Sequence, residues 1–142
     1  LMLFAWGLCV LGLAFGGALG LRALFDPKWA ARLVRLKADE QGGGQAEFRA
    51  TYGGVFFLSH AAALVLTLKY LTTGEALIGV CATGAIAILS AAWAGAAVGR
   101  LISIWRDGAR TRFNYLSVGV ELALSFAIGL PWAIWLFSRP SP

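Results

Sequence analysis

The chain has 142 residues, 59% of them hydrophobic and only 13% charged, with a net charge of +5. A soluble domain carries about a quarter charged residues, so this composition excludes an ordinary water-soluble fold. The mean hydropathy of +0.75 points instead to a chain dissolved in lipid.

Four apolar runs carry that signal, at about residues 1–21, 48–68, 76–98 and 115–137. Each has about the 20 residues that a helix needs to cross ~30 Å of hydrocarbon. Continuous runs of this length are too long for barrel strands, and lipid admits only helices and closed barrels. The expected fold is all-α: an integral membrane four-helix bundle forming one transmembrane domain over residues 1–142. The first run, LMLFAWGLCVLG, lacks the basic start of a secretory leader and is read as a retained span. It carries Gly12, Gly16 and Gly20 at four-residue spacing. Such small-residue stripes let helix backbones approach closely in lipid.

Asp26-Pro27 opens a short interfacial helix over about residues 27–37, with Asp as N-cap and Pro at the first helical position. Trp29, Leu33 and Leu36 fall on one face of it, and Lys28, Arg32 and Arg35 on another. That amphipathic pattern suits the membrane surface, with Lys28, Trp29, Arg32 and Arg35 against anionic lipid headgroups. ADEQGGGQAE, residues 38–47, reads as a flexible polar hinge. The third run repeats the small-residue stripe at Thr83, Ala87, Ala91, Gly95 and Gly99, and the fourth at Gly119, Ala123 and Ala127. Asp107-Gly108 should end the third helix beyond the bilayer surface. Trp6, Tyr70, Trp132 and Trp135 on one side, and Trp105, Phe113 and Tyr115 on the other, suit interfacial belts. Pro131 is a candidate kink in the fourth helix. Cys9 and Cys81 read as two small apolar core residues rather than a disulfide.

The charges are sided. Ten basic residues lie at or in the first and third connections, and two, Lys69 and Arg139, on the opposite side. By the positive-inside rule both connections are cytoplasmic and both termini face outward, as expected for a bacterial inner membrane protein. The net charge is therefore a topology signal, and no nucleic-acid partner is expected.

Glu121 lies inside an apolar helix, roughly 9 Å from its cytoplasmic end. Intramembrane ionisable groups usually face the protein interior and pair with one another. Arg49 and Arg100 stand at similar depth, so Glu121 should close a polar cluster with either or both. Glu47 and Asp107 share that layer, and Tyr52, Ser103 and Asn114 could add hydrogen bonds. His60, the single histidine, follows Arg49 by eleven residues on nearly the same face. It is the one candidate contact for a haem- or chlorophyll-type metal, although hydrogen bonding to a neighbouring helix is the commoner role. No metal site is expected. Catalytic residues are not apparent either: Ser59-His60 are adjacent on a helix and point apart.

Three stretches, AEFRATYGGVFF (46–57), GRLISIWRDG (99–108) and NYLSVGVEL (114–122), resemble the domain-of-unknown-function 4345 family of small bacterial four-helix membrane proteins. The resemblance runs over about residues 1–131. It implies the same fold and no established activity. It carries over Glu47, Arg49, Tyr52, Gly53 and Gly54, then Gly99, Arg100, Asp107 and Gly108, and finally Glu121.

Two functions are compatible with these features. The favoured one is a non-catalytic accessory subunit, packed by its small-residue stripes against other membrane-protein subunits of a larger respiratory or photosynthetic complex. The alternative is a small lipid-, quinone- or pigment-binding membrane protein that uses a cytoplasmic-side Arg49/Arg100/Glu121 pocket. The first needs no cofactor. The second would place a lipid, a quinone or a chlorophyll-type pigment at an interface.

Overall fold

A computed structural model describes residues 1–37 and 41–138 of the chain. Among the described residues, six α-helices and one π-helical segment follow in order: α1 (Met2–Phe25), α2 (Pro27–Val34), α3 (Gly43–Glu47), the π segment (Phe48–Val55), α4 (Phe56–Thr73), α5 (Ala76–Arg106) and α6 (Arg112–Phe137). No strand occurs among the described residues. Four helical stretches are long and apolar enough to cross a membrane: Met2–Phe25, Gly43–Thr73, Ala76–Arg106 and Arg112–Phe137.

These stretches outrun the expected ones at their polar ends. α1 runs one turn past residue 21, because Arg22 interrupts the apolar run without ending the helix. α5 likewise continues through Arg100 to Arg106. It ends at Asp107-Gly108, as its sequence implies, with Gly108 in the left-handed region (φ 66°). α6 starts at Arg112, earlier than residue 115, because the Thr111 side chain accepts a hydrogen bond from the Asn114 backbone N–H. Pro131 sits inside α6 without ending it.

The polar stretch expected to be a hinge divides. Its residues 38–40 lie outside the described residues, as does Arg139, while Gly43–Glu47 form α3 and lead into the π segment. α2 is shorter than the expected 27–37. It stops at Val34, where Arg35 takes a left-handed conformation (φ 62°) and its N–H closes on the Ala31 carbonyl.

The chain divides into two compact units. The first comprises Leu1–Gly12 and Leu66–Pro142. Within it, α5 and α6 pack along their length. Ser90 Oγ donates to the Ser125 carbonyl (2.8 Å), and Ser125 Oγ donates to the Ser90 carbonyl (2.9 Å). Gly129 makes room for this clasp: a Cβ there would collide with Ser90 Oγ. A Cβ on Gly12 would fall 2.8 Å from Ile128 Cγ1. Trp6 is buried against Tyr70, with ring centroids 5.3 Å apart. It is therefore a packing residue rather than a member of an exposed belt. Cys9 is buried and Cys81 exposed, both as free thiols, so only Cys9 is a core residue.

The second unit is Leu13–Val65. Here the α1 glycines set the helix packing. A Cβ on Gly16 would strike the His60 ring, and one on Gly20 would strike the Phe57 backbone nitrogen. A Cβ on Gly53 would lie 2.6 Å from Leu24 Cα. As α1 advances by four residues its partner retreats by three or four, which is the register of an antiparallel pair in close contact. Ala23, Ala30 and Phe48 form a small buried cluster, flanked by Trp29, Val34 and Tyr52, that seats α2 against the end of α1 and the π segment.

Candidate functional site

The expected polar layer resolves into separate local arrangements. Glu121 pairs with Arg100: Arg100 Nε donates to Glu121 Oε1 at 2.8 Å. Glu121 is 5% exposed, whereas a third of the Arg100 side chain reaches the surface. Val118, one turn before Glu121, and Ala97, one turn before Arg100, belong to an apolar cluster with Ile104. Glu121 Oε2 has no hydrogen-bond partner among the described residues.

Arg49 does something different. Its guanidinium donates through Nη1 to the Leu24 carbonyl. Leu24 lies in the last turn of α1, where carbonyls have no intrahelical donor and the helix dipole presents partial negative charge. Arg49 therefore caps α1 from another helix, while Gly53, one turn on, lets the π segment touch the Leu24 backbone. Arg49→Gln should lower stability by about 1 kcal/mol, the usual size of a charge–dipole contribution. Thermal unfolding in detergent measures it.

The remaining members of the layer also serve nearby groups. Glu47 accepts from Thr51 Oγ1. Asp107 accepts from Ser103 Oγ at 2.7 Å. Asn114 Nδ2 donates to the Ala109 carbonyl at 2.7 Å. Tyr52 lies against Phe48, centroids 5.5 Å apart. Ser103 and Asn114 are thus engaged away from Glu121. The physical reason is that each polar group meets an orphan backbone or side-chain partner within about a turn, at lower conformational cost than a long-range network.

His60 is 2% exposed. Its Nδ1–H donates to the Phe56 carbonyl at 2.7 Å, and its ring stacks on Phe56 at 5.6 Å. Nε2 faces Gly16 so closely that even a methyl group there would collide with it. The ring is a packing element against α1, and the space a metal would need on Nε2 is filled by the α1 backbone. No cluster of three or more His, Cys, Asp or Glu residues suited to a metal occurs among the described residues.

Two grooves flank these elements. One, of about 580 Å³, follows α2 and is bordered by Lys28, Arg32, Arg35, Leu36, Lys37 and Gln45. The other, of about 500 Å³, lies among Tyr70, Gly79, Val80, Thr83, Trp132 and Trp135. Neither is lined by Arg49, Arg100 or Glu121.

The small-residue stripes differ in use. In α1, Gly12, Gly16 and Gly20 are all buried by neighbouring side chains or backbone. In α5, Gly84, Ala91, Gly95 and Gly99 are exposed, and a Cβ on Gly84, Gly95 or Gly99 would meet nothing within 4 Å. Ala87, part of the expected α5 stripe, is half-buried and lies to the side of this open face. Two features had no counterpart in the sequence reading. The Ser90–Ser125 clasp was signalled only by a serine in the apolar middle of each of two helices. The π segment has no periodicity that distinguishes it from an α-helix over eight residues.

Four helices long and apolar enough to cross a membrane, with no strand among the described residues, define an all-α membrane protein. The chain belongs to the family described as Domain of unknown function (DUF4345), whose model matches residues 2–133. No curated protein and no solved structure matches the chain significantly. The comparisons name no catalytic family.

Proposed function

We propose that the protein is a non-catalytic accessory subunit of a larger bacterial membrane complex, respiratory or photosynthetic in setting. It would lie in the inner membrane with its first and third connections cytoplasmic, as the ten-to-two distribution of basic residues favours. The observation that carries the subunit reading is the open face of α5. Gly84, Gly95 and Gly99 present bare backbone and Ala91 a single exposed methyl, whereas the equivalent stripe on α1 is consumed by packing within the chain. Lipid tails supply little drive for helix association, so close backbone approach is the main source of contact energy between spans. The pocket reading lacks comparable support, since Arg100 closes on Glu121 and Arg49 on Leu24.

The test is purification of the native protein in mild detergent, followed by mass determination of the intact particle. A fixed-stoichiometry assembly is expected. Gly95→Leu should reduce recovery of the partner about tenfold, equivalent to roughly 1.4 kcal/mol of association energy, while the chain itself remains folded. A lone chain in the wild-type preparation, or an undiminished assembly with Gly95→Leu, would refute the reading.

A further inference from the structure

Arg100 is only partly used by the pair it forms. An arginine presents several N–H donors in a planar fork, and a carboxylate frequently closes on that fork with both oxygens. Here Nε alone donates to Glu121, through Oε1, and Oε2 has no hydrogen-bond partner among the described residues. The fork is therefore not closed on the carboxylate, and the terminal nitrogens Nη1 and Nη2 find no acceptor among the described residues. A third of the side chain is exposed. Arg100 also stands six residues before the end of α5, inside a stretch long and apolar enough to cross a membrane. An N–H without an acceptor is costly in such a setting.

The surface beside those donors admits a helix. Ala92 and Ala96 are exposed. They lie three residues before Gly95 and Gly99 and so border the open face of α5, and Ala96 lies four residues before Arg100. A helix seated on Gly95 and Gly99 can therefore approach α5 closely up to the foot of the arginine. Charge decides what that helix carries. Arg100 and Glu121 already cancel, so a further carboxylate or a lipid phosphate on the terminal nitrogens would stand against the Glu121 charge. A neutral acceptor would not. Backbone carbonyls of a spanning helix are spent within it, so the acceptor belongs to a side chain.

We infer, on the basis of the subunit reading, that the partner on α5 has a spanning helix with a neutral polar side chain, Ser, Thr, Asn or Gln, whose oxygen accepts from the terminal nitrogens of Arg100. Gly95 and Gly99 supply the close approach, and Arg100 supplies the directional contact that selects the partner. Glu121 is then a positioning residue: it holds Nε and leaves the outer edge of the fork to the neighbour.

The partner segment is read first. Ala96→Cys, in a chain whose exposed Cys81 is changed to alanine, carries a benzophenone maleimide, and peptide mass mapping of the irradiated native particle identifies what it captures. The captured stretch should hold Ser, Thr, Asn or Gln within one turn, and a stretch with none of these would overturn the inference. Changing that residue to alanine should lower recovery of the assembly about threefold, the size of an average interhelical hydrogen bond in a membrane. Arg100→Met/Glu121→Leu should lower it equally, and the two changes together should lower it no further. Losses that multiply would overturn the contact. Full recovery with Arg100→Met/Glu121→Leu, beside the loss with Gly95→Leu, would also overturn it while the subunit reading stands, and would leave the terminal nitrogens to lipid. The partner-side change leaves this chain untouched, so it decides even if the double variant unfolds. A wild-type chain that purifies alone would overturn both.

Discussion

Gly20→Leu is expected to abolish the native pairing of α1 with the π segment and α4, whereas Gly95→Leu leaves the fold intact. Both residues are helical glycines in a four-residue small stripe, yet they differ in what lies above the Cα. At Gly20 a Cβ would overlap the Phe57 nitrogen and lie 2.9 Å from the Phe56 carbonyl carbon and Phe57 Cα. These are backbone atoms and cannot rotate away. Overpacking a core costs about 1–3 kcal/mol when side chains can shift, so a collision of two backbones should exceed the upper end. At Gly95 nothing stands within 4 Å, and the change removes a helix glycine, worth roughly 0.5–1 kcal/mol in the favourable direction. Circular dichroism with thermal unfolding in detergent should show Gly20→Leu misfolded and Gly95→Leu at or above wild-type stability. Equal loss in both would mean that the α5 face is also covered.

That contrast shows where the sequence runs out. Spacing reveals that a helix has a small face, but Gly20 and Gly95 look alike in one dimension. Which face is covered depends on the neighbouring helix. The four spans were legible because length and apolar content alone determine them. The cap at Asp26-Pro27 was legible too, since its side chain acts within a turn: Asp26 Oδ1 accepts from the Trp29 N–H at 2.9 Å. Arg49 was not. Its partner is a carbonyl at Leu24, and the apolar run placed the end of α1 one turn earlier, so the orphan carbonyl was hidden. An arginine stem reaches several ångströms in any direction, and proximity to a carboxylate in the sequence-derived layer was a weaker guide than an unsatisfied helix end. The π segment was equally hidden. What its sequence does show is Gly53-Gly54, poor helix formers at the point where Leu24 comes within contact.

Arg100→Met is expected to destabilise the chain more than Glu121→Leu, although both remove the same ion pair. The asymmetry comes from burial. Without Arg100, the Glu121 carboxylate stays buried near Val118 and Ala97, with neither oxygen paired among the described residues. Breaking a buried pair by removing one partner costs about 3–5 kcal/mol. Because a third of the Arg100 side chain reaches the surface, the lower end, about 3 kcal/mol, applies. Without Glu121, Arg100 can turn its guanidinium outward along its flexible stem. Its remaining cost is then mainly lost hydrogen bonding, about 1 kcal/mol, as interhelical polar pairs in membranes usually contribute. The double variant Arg100→Met/Glu121→Leu replaces the pair with apolar groups of similar volume, and such replacement is often neutral. It should therefore be more stable than Arg100→Met alone by about 3 kcal/mol. The measurement is a double-mutant cycle of unfolding in mixed detergent. Additive losses would mean that the two residues act independently, and equal single losses would mean that Glu121 has access to water. The predicted order, with the arginine as the costlier residue to remove, assigns the pair a specific role. Arg100 neutralises a carboxylate that α6 has already buried, and the α5–α6 contact depends on that neutralisation more than on the attraction itself.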